Sequence, residues 1–303
     1  MNKRNKTQKK KILIIILAMI IIFIGFVEII RKNEKYIELT QLKDNSANQM
    51  MGYIIKTSTD KVIVVDGGTT EDAPNLIKHI EELGNKVDIW FITHPHSDHA
   101  GAIEKIIQET DIPIGKIYYT INEIDWYIKN APERAYEAEH FYNAIQNERV
   151  KDKTEEVTLN QKIKIDFIDC EILGIKNPEI TEDAFNNSSM VIKMNLPENS
   201  ILFLGDTGVQ SGNKLLETQK DKLKSDIVQV AHHGQNGAGE NLYQEIQPSI
   251  CLWPTPEWIW NNDLGEGENT GPFTTFETRS WMEKLNVKQN IIEKDGDITI
   301  NVK

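Results

Sequence analysis

The sequence has few cysteines. Cys170 and Cys251 are the only two in 303 residues, and they form no C-x-x-C motif. Two cysteines cannot build a disulfide framework, and their spacing leaves open whether they pair with each other. The sequence also lacks internal repeats, and its only low-complexity segment is a basic stretch at the N-terminus. With 39 % hydrophobic and 26 % charged residues, the chain has the composition of a globular protein of one large or two small domains.

Positive charge is scarce beyond the N-terminus. Residues 1–35 contain nine Lys and Arg against two Glu, and the whole chain has a net charge of −12, so residues 36–303 carry −19. Proteins that bind nucleic acids gain most of their non-specific affinity from Lys and Arg that displace counterions. The acidic body therefore disfavours tight binding of long nucleic acids. It leaves open the binding of metal cations and the hydrolysis of a small or tethered phosphate ester.

The N-terminus differs from the rest of the chain. "MNKRNKTQKKK" (1–11) carries six positive charges and precedes nineteen mostly apolar residues, "ILIIILAMIIIFIGFVEII" (12–30). A helix of that length crosses ~30 Å of hydrocarbon. A cleaved signal peptide would end in small residues, which are absent here, and a buried core helix is the other alternative. The basic flank predicts a cytoplasmic leader (1–11), a transmembrane signal anchor (12–30) and a body (36–303) on the extracytoplasmic side of the cell membrane.

Short β runs and amphipathic helices alternate along the body of the chain. Strands such as "KVIVV" and "SILFL" outnumber helices such as "APNLIKHIEEL". This pattern predicts an α/β fold in which two sheets pack together with helices on the outside. Residues 121–150 are charged and mostly helical, with Pro132 as a break. We interpret this segment as an insertion and a candidate lid.

Polar residues of the kinds that bind metals follow four of the predicted strands. Ligands of layered α/β proteins gather where strand ends open into loops, so the four strand ends are expected to meet at one pocket. The residues that follow these strands are Asp66, the cluster His94, His96, Asp98 and His99, then Asp206, and finally His232 and His233.

The His94 cluster is the most specific of these signals. In an extended chain, His94 and His96 point the same way and can bind one ion. Asp98 and His99 lie beyond, where the chain turns toward a helix, so they suit a second ion. Helix capping by Asp98 and surface exposure of the histidines are the alternatives. Four such side chains within six residues favour metal binding.

Asp206 and the histidine pair complete the predicted site. The "DTG" around Asp206 occurs once, whereas aspartic proteases need two carboxylates, so a bridge between two ions or a simple turn are the alternatives. One of His232 and His233 is expected to bind the second ion and the other to contact substrate or protonate the leaving group. We assign metal binding to His233 and catalysis to His232 together with Asp98, although the pattern allows the reverse for the two histidines. Asp66 is expected to orient a metal-bound histidine, or else to form a turn.

Four motifs together resemble the metallo-β-lactamase fold superfamily. They are "VDGG", "THPHSDHAG", "LGDTG" and "AHHG", in that order. The resemblance implies a four-layer αββα sandwich and metal-dependent hydrolysis. The segments "NNSSMVIKM", "SILFLGD" and "DIVQVAHHG" are also similar to the nuclease-like domain of competence DNA-uptake proteins and to the phosphorylcholine esterases of teichoic acids. Both groups imply hydrolysis of phosphodiesters or phosphoesters.

The sequence departs from the family in one respect. Many members have a further histidine between the first cluster and the bridging Asp, but residues 141–231 contain none. His94, His96 and Asp206 alone would bind the first ion, with Asn187, Ser188 or water beside it. This argues against a β-lactamase, glyoxalase or lactonase.

The expected protein is a membrane-anchored hydrolase with two divalent ions that hold a hydroxide between them. Nitrogen and oxygen ligands without thiolates favour Zn²⁺, with Mn²⁺ or Fe as alternatives. The expected substrate is a small-molecule or cell-wall phosphoester. A non-catalytic metal-binding surface module and an amide or lactone hydrolase are the alternative functions.

Overall fold

The computed structural model describes residues 34–303, together with Ile16 and Met19. The predicted leader (1–11) and, apart from those two residues, the predicted anchor (12–30) lie outside the described residues. Within the part described, no helix is both long and apolar enough to cross a membrane. The membrane anchor therefore stays a prediction.

The described residues form fourteen strands. They are β1 (Ile37–Gln41), β2 (Gly52–Thr57), β3 (Val62–Asp66), β4 (Val87–Ile92), β5 (Ile114–Tyr119), β6 (Thr154–Glu156), β7 (Lys162–Ile165), β8 (Ile168–Gly174), β9 (Val191–Asn195), β10 (Ser200–Phe203), β11 (Ile227–Gln229), β12 (Ile250–Trp253), β13 (Gln289–Ile292) and β14 (Ile298–Val302). The strands build two seven-stranded sheets. The first has the order β14-β1-β2-β3-β4-β5-β6 and the second has the order β13-β12-β11-β10-β9-β8-β7.

Nine α-helices connect these strands in residues 34–303. They are α1 (Ala73–Glu82), α2 (Ser97–Glu109), α3 (Ile124–Asn130), α4 (Ala135–Ile145), α5 (Val209–Thr218), α6 (Lys220–Leu223), α7 (Glu240–Ile246), α8 (Glu257–Trp260) and α9 (Thr275–Lys284). Short 3₁₀ turns cover Lys151–Lys153, Asn186–Ser188, Ala231–Gly234 and Glu293–Asp295.

The strands are apolar on both faces because each sheet is covered on both sides. In β3, Val62 and Val64 face a core shared with α1, α2 and α4, whereas Ile63 and Val65 face a core between the two sheets. The second sheet packs its other face against α5, α7 and α9. The layers are thus helix, sheet, sheet and helix, which confirms the two-sheet α/β architecture predicted from the sequence.

The two cysteines lie in different cores. Cys170 belongs to the core between the sheets, and Cys251 belongs to the core between the second sheet and its helices. Both are buried and free. Burial raises the pKa of the Cys170 thiol to about 12, so the side chain is neutral and acts as a small apolar residue.

The predicted helical insertion is present between β5 and β6. It consists of α3 and α4, with Pro132 in the break between them. The insertion packs on α2, where Glu137 of α4 accepts a hydrogen bond of 2.6 Å from the backbone N–H of Ser97. Because α2 begins at Ser97, directly after His96, the insertion is tied to the loop that carries the histidine cluster.

The strand topology brings the four predicted strand ends together. β3 and β4 are parallel neighbours in the first sheet, and β10 and β11 are parallel neighbours in the second. The carboxyl ends of parallel strands lie at the same edge of a sheet. The backbone N–H of Met190 donates to the carbonyl of Thr93 at 2.8 Å, which joins the two sheets directly beside these ends.

Candidate metal centre

The loop after β4 directs its polar side chains in two directions. His96 has an extended backbone with φ −65° and ψ 147°, and α2 begins at the next residue. His94 and His96 lie before the turn, so their rings come together with 3.0 Å between His94 Nε2 and His96 Nδ1. Asp98 and His99 lie in the first turn of α2, which displaces them from that pair.

Two groups of potential metal ligands result from this arrangement. In each group, every residue offers one ligand atom and all of these atoms lie within 4.8 Å of one another. The first group contains His94, His96 and Asp206, and the second group contains Asp98, His99, Asp206 and His233. These are the groupings expected from the sequence, and the helix-capping alternative for Asp98 is not observed.

Asp206 belongs to both groups. Its Oδ1 lies 3.2 Å from His99 Nε2, whereas its Oδ2 lies 3.6 Å from His233 Nε2 and 3.9 Å from His94 Nε2. The side chain is 1 % exposed. Because Oδ2 lies between nitrogens of both groups, this carboxylate could serve as a ligand to a cation in either group.

The residues of the second group fit a divalent cation because each of them has a buried polar atom that lacks another partner. Buried polar atoms without a hydrogen bond are rare, and each costs about 1–3 kcal/mol. A cation on these atoms would remove that cost. The unpartnered buried atoms of the two groups are Asp98 Oδ1, His99 Nε2, His233 Nε2 and both carboxylate oxygens of Asp206.

The electrostatics of the two groups differ. Burial lowers the pKa of His94 and His96, that of His96 to about 3, so both rings are neutral and able to act as ligands. Burial opposes protonation at His99 and His233 too. The carboxylates of Asp206 and Asp66 at His99, and of Asp206 and Asp98 at His233, outweigh it and raise both pKa values, that of His233 to about 10. The carboxylates thus favour positive charge at the second group. A divalent cation would supply this charge in place of the protons on the two histidines.

Asp66 holds the ring of His99 from behind. Its Oδ2 lies 2.7 Å from His99 Nδ1 and accepts a 2.7 Å hydrogen bond from the Thr93 hydroxyl, and its Oδ1 accepts the Thr93 backbone N–H. With a proton on Nδ1, the Nε2 lone pair of His99 points at the second group. Asp66 therefore occupies the place expected from the sequence, beside a ligand of the second group.

An unusual backbone at the end of β11 separates His232 from His233. Both residues and Gly234 have positive φ angles, of 51°, 55° and 76°. A Cβ at Gly234 would lie 2.6 Å from the ring of Trp253, so only glycine fits there. This turn places His233 in the second group, where its Nδ1 donates to the carbonyl of Pro254 at 2.7 Å.

His232 lies at the edge of the centre instead. Its side chain is 17 % exposed, and its Nε2 lies 4.0 Å from Asp206 Oδ2. Asn186 Nδ2 is 3.2 Å from the same nitrogen. The structure thus places His233 among the potential metal ligands and His232 beside them.

Asn187 does not contact the centre, in contrast to the expectation from the sequence. Its Oδ1 accepts the backbone N–H of Ser211 at 3.0 Å, and its Nδ2 donates to Glu182 and Gln210, so the side chain stabilises the start of α5. The Ser188 hydroxyl accepts a hydrogen bond of 2.9 Å from Asn122 Nδ2. The next residue contacts the first group from behind: Ser189 Oγ accepts the Asp206 backbone N–H at 3.0 Å and lies 3.4 Å from His94 Nδ1.

Two glutamines that sequence reasoning missed orient Asp98. Gln49 Nε2 donates to Asp98 Oδ2 at 2.9 Å, and Gln235 Nε2 donates to Gln49 Oε1 at 2.9 Å. Oδ2 of Asp98 also lies 3.3 Å from His233 Nε2, whereas Oδ1 is buried without a hydrogen-bond partner. Gln49 lies in the loop after β1 and Gln235 lies after the histidine pair. Neither position carries a sequence signal apart from the proximity of Gln235 to that pair.

The comparisons with known proteins agree with this geometry. Residues 51–247 match the sequence model described as the metallo-beta-lactamase superfamily. A curated relative, the uncharacterized protein YcaI of Escherichia coli (strain K12), is 32 % identical over 73 residues. That match covers 24 % of this chain and 10 % of YcaI, so the chain spans only about a tenth of the relative's length.

Two solved structures share the fold at low sequence identity. The metallo-beta-lactamase fold protein YhfI from Bacillus subtilis superposes with a TM-score of 0.55 and 12 % identity over 88 % of this chain and 100 % of YhfI. CmlA, a diiron beta-hydroxylase from Streptomyces venezuelae, superposes with a TM-score of 0.54 and 11 % identity over 89 % of this chain and 54 % of CmlA. At such identities the likeness concerns the fold alone.

Proposed function

The chain belongs to the metallo-β-lactamase superfamily, and from this membership and the site geometry we propose that it is a hydrolase of phosphodiester or phosphoester bonds that binds two divalent cations. His94, His96 and Asp206 would hold one cation, and Asp98, His99, Asp206 and His233 would hold the other. Nitrogen and oxygen donors without a thiolate favour Zn²⁺, with Mn²⁺ and Fe as alternatives.

The observation that carries this proposal is the environment of Asp206. Both of its oxygens are buried without a hydrogen-bond partner, although Oδ1 lies 3.2 Å from His99 Nε2 and Oδ2 lies between His233 Nε2 at 3.6 Å and His94 Nε2 at 3.9 Å. A purely structural aspartate would be hydrogen-bonded or exposed. A shared carboxylate between two cations explains the burial, the missing partners and the position between the groups.

The residues around the two groups have separate roles in the proposed reaction. When bound, such cations lower the pKa of water and offset the negative charge of phosphate oxygens. His232, at the edge of the centre, donates a proton to the leaving group. Gln49 and Asp66 fix the orientation of Asp98 and His99. Phe185 stacks on His96, with 4.5 Å between ring centroids, and excludes water from one side of the first group.

Phosphoesters are favoured over amides and lactones by the composition of the first group. No histidine occurs in residues 141–231, so this group has three protein ligands and leaves its cation open to a phosphate oxygen. The −19 charge of residues 36–303 favours a small or cell-wall substrate over long nucleic acids. We further propose that residues 12–30 anchor the protein in the cell membrane with this site on the extracytoplasmic side.

Hydrolysis of bis-p-nitrophenyl phosphate by the full-length, metal-loaded chain tests the proposal. We expect Asp206→Asn and His96→Ala to lose activity together with bound metal. His232→Ala should keep its metal and lose about 10²–10⁴-fold in kcat, because only proton donation is removed. His140→Ala is the matched control, since His140 is exposed on α4 away from both groups.

Each outcome separates the proposal from its rivals. Full activity in Asp206→Asn and His96→Ala would contradict the assigned roles. Bound metal with no hydrolysis of any ester would favour a non-catalytic metal-binding module. Faster hydrolysis of a lactone or a β-lactam than of the diester would favour the amide or lactone hydrolase.

A further inference from the structure

Arg134 lies at the mouth of the metal centre. A cavity of about 150 Å³ opens beside the first group and is lined by His96 together with Arg134 of the helical insertion. Glu133, Asp183 and Asn186 line the same cavity. Residues 36–303 carry a net charge of −19, so the position of this guanidinium beside the first group needs an explanation.

The guanidinium is held in a fixed orientation. Glu137 accepts hydrogen bonds from Arg134 Nε at 2.6 Å and from Nη2 at 3.0 Å, and its side chain is only 3 % exposed. The same carboxylate accepts the Ser97 backbone N–H, one residue after His96. Arg134 is therefore positioned relative to the first group by one buried carboxylate.

One nitrogen of the Arg134 guanidinium remains free to bind a ligand. Within residues 34–303, Arg134 Nη1 makes no hydrogen bond, because Glu137 uses only Nε and Nη2. The Arg134 side chain is 41 % exposed, so a ligand in the cavity can reach Nη1.

Arg134 lines this cavity together with His96, so its positive charge lies beside a ligand of the first group. Guanidinium groups bind phosphate oxygens through charge-assisted hydrogen bonds with strict geometry.

We propose that Arg134 binds an anionic oxygen of the substrate phosphate at the first group and thereby selects anionic esters over neutral ones. The inference rests on the proposed function, because it assumes a phosphoester at this site. The simpler alternative is that Arg134 serves only as an ion-pair partner that stabilises Glu137 and the start of α2.

Calorimetric titration of inorganic phosphate into the metal-loaded, full-length protein tests this role directly. We expect Arg134→Met to bind phosphate about 10- to 100-fold more weakly, since a charge-assisted fork is lost. Arg134→Lys should recover part of the affinity, because it keeps the charge without the fork. Lys129→Met is the matched control: it removes one positive charge from an exposed side chain of α3 in the same insertion and should bind as the wild type does.

A kinetic comparison checks selectivity. In Arg134→Met, KM for bis-p-nitrophenyl phosphate should rise about 10- to 100-fold, whereas kcat/KM for the neutral ester p-nitrophenyl acetate should not change. Because Arg134→Met leaves the Glu137 charge buried and unpaired, the double variant Arg134→Met/Glu137→Gln is measured as well. It removes the pair together and should show the same loss of phosphate affinity.

The outcomes distinguish this inference from the proposed function. Wild-type phosphate affinity in Arg134→Met and in the double variant would overturn the role of Arg134, as would a wild-type protein that binds no phosphate. A wild type that binds phosphate through Arg134 but cleaves no diester would refute only the proposed function. Diester hydrolysis with an unchanged KM in both variants would refute only the role of Arg134.

Discussion

The substitution Asp66→Asn should lower both the stability of the protein and its affinity for one of the two metal ions. The two oxygens of Asp66 accept three hydrogen bonds of 2.7 Å: from the Thr93 N–H, the Thr93 hydroxyl and His99 Nδ1. An amide retains one oxygen, so its NH₂ faces either the Thr93 N–H or both the Thr93 hydroxyl and His99 Nδ1. With a buried unsatisfied donor costing about 1–3 kcal/mol, we expect Asp66→Asn to lose about 1–3 kcal/mol of unfolding free energy.

The same substitution should weaken one of the two metal sites. Loss of the carboxylate behind a metal-bound histidine lowers metal affinity about 10- to 100-fold, or about 1.4–2.7 kcal/mol. Only the second group contains His99, so only one of the two dissociation constants should change. Competition against a chromophoric chelator of known affinity measures both constants, and urea unfolding of the metal-free protein measures the stability.

Asp72→Asn is the matched control for this prediction. Asp72 is also buried, at 1 % exposure, and accepts hydrogen bonds from Asn45 N–H and from the N–H and hydroxyl of Thr69. It contacts no histidine of the centre, so it should lose similar stability with unchanged metal affinity. Metal constants in Asp66→Asn within threefold of the wild type, or an equal loss in Asp72→Asn, would refute the reasoning.

Three further predictions concern backbone geometry, pH and metal. Gly234→Ala should lose about 2–4 kcal/mol in urea unfolding because its Cβ meets the Trp253 ring, whereas Gly265→Ala, which has open space at φ 106°, should lose only about 1 kcal/mol. Burial, together with the charge of Glu137, raises the pKa of Glu104 to about 8, above its value of 4.5 in the unfolded chain. The wild type should therefore lose up to about 1 kcal/mol of stability per pH unit between about pH 5 and 8 relative to Glu104→Gln; parallel pH profiles would contradict this. A cation at a thousand times its Kd should stabilise the wild type by about 4 kcal/mol, seen as a rise in Tm that chelation reverses, and an unchanged Tm would argue against tight binding.

The convergence of the four strand ends was predictable from local pattern. β3, β4, β10 and β11 each combine a continuous apolar run with an abrupt polar ending, as buried parallel strands do. Since parallel strands present their carboxyl ends at one edge, sequence alone brings Asp66, the His94 cluster, Asp206 and His233 together. The structure places all of them at one centre.

The parts of the site that the sequence did not reveal depend on packing between distant segments. Asn187 and Ser189 lie two residues apart, and the 3₁₀ turn at Asn186–Ser188 decides which of them faces Asp206. Gln49 reaches Asp98 from a loop almost fifty positions earlier. Arg134 reaches the mouth only because α4 packs on α2. No local periodicity encodes such contacts, which follow from side-chain packing across layers.

Metal stoichiometry in wild type and Asp206→Asn tests the central claim most directly. Elemental analysis after loading and desalting should give two divalent ions per chain for the wild type and at most one for Asp206→Asn, because the shared carboxylate is lost. The exposed control Asp221→Asn should retain both ions. A wild type that retains no ion, or an Asp206→Asn variant that retains two, would contradict the account.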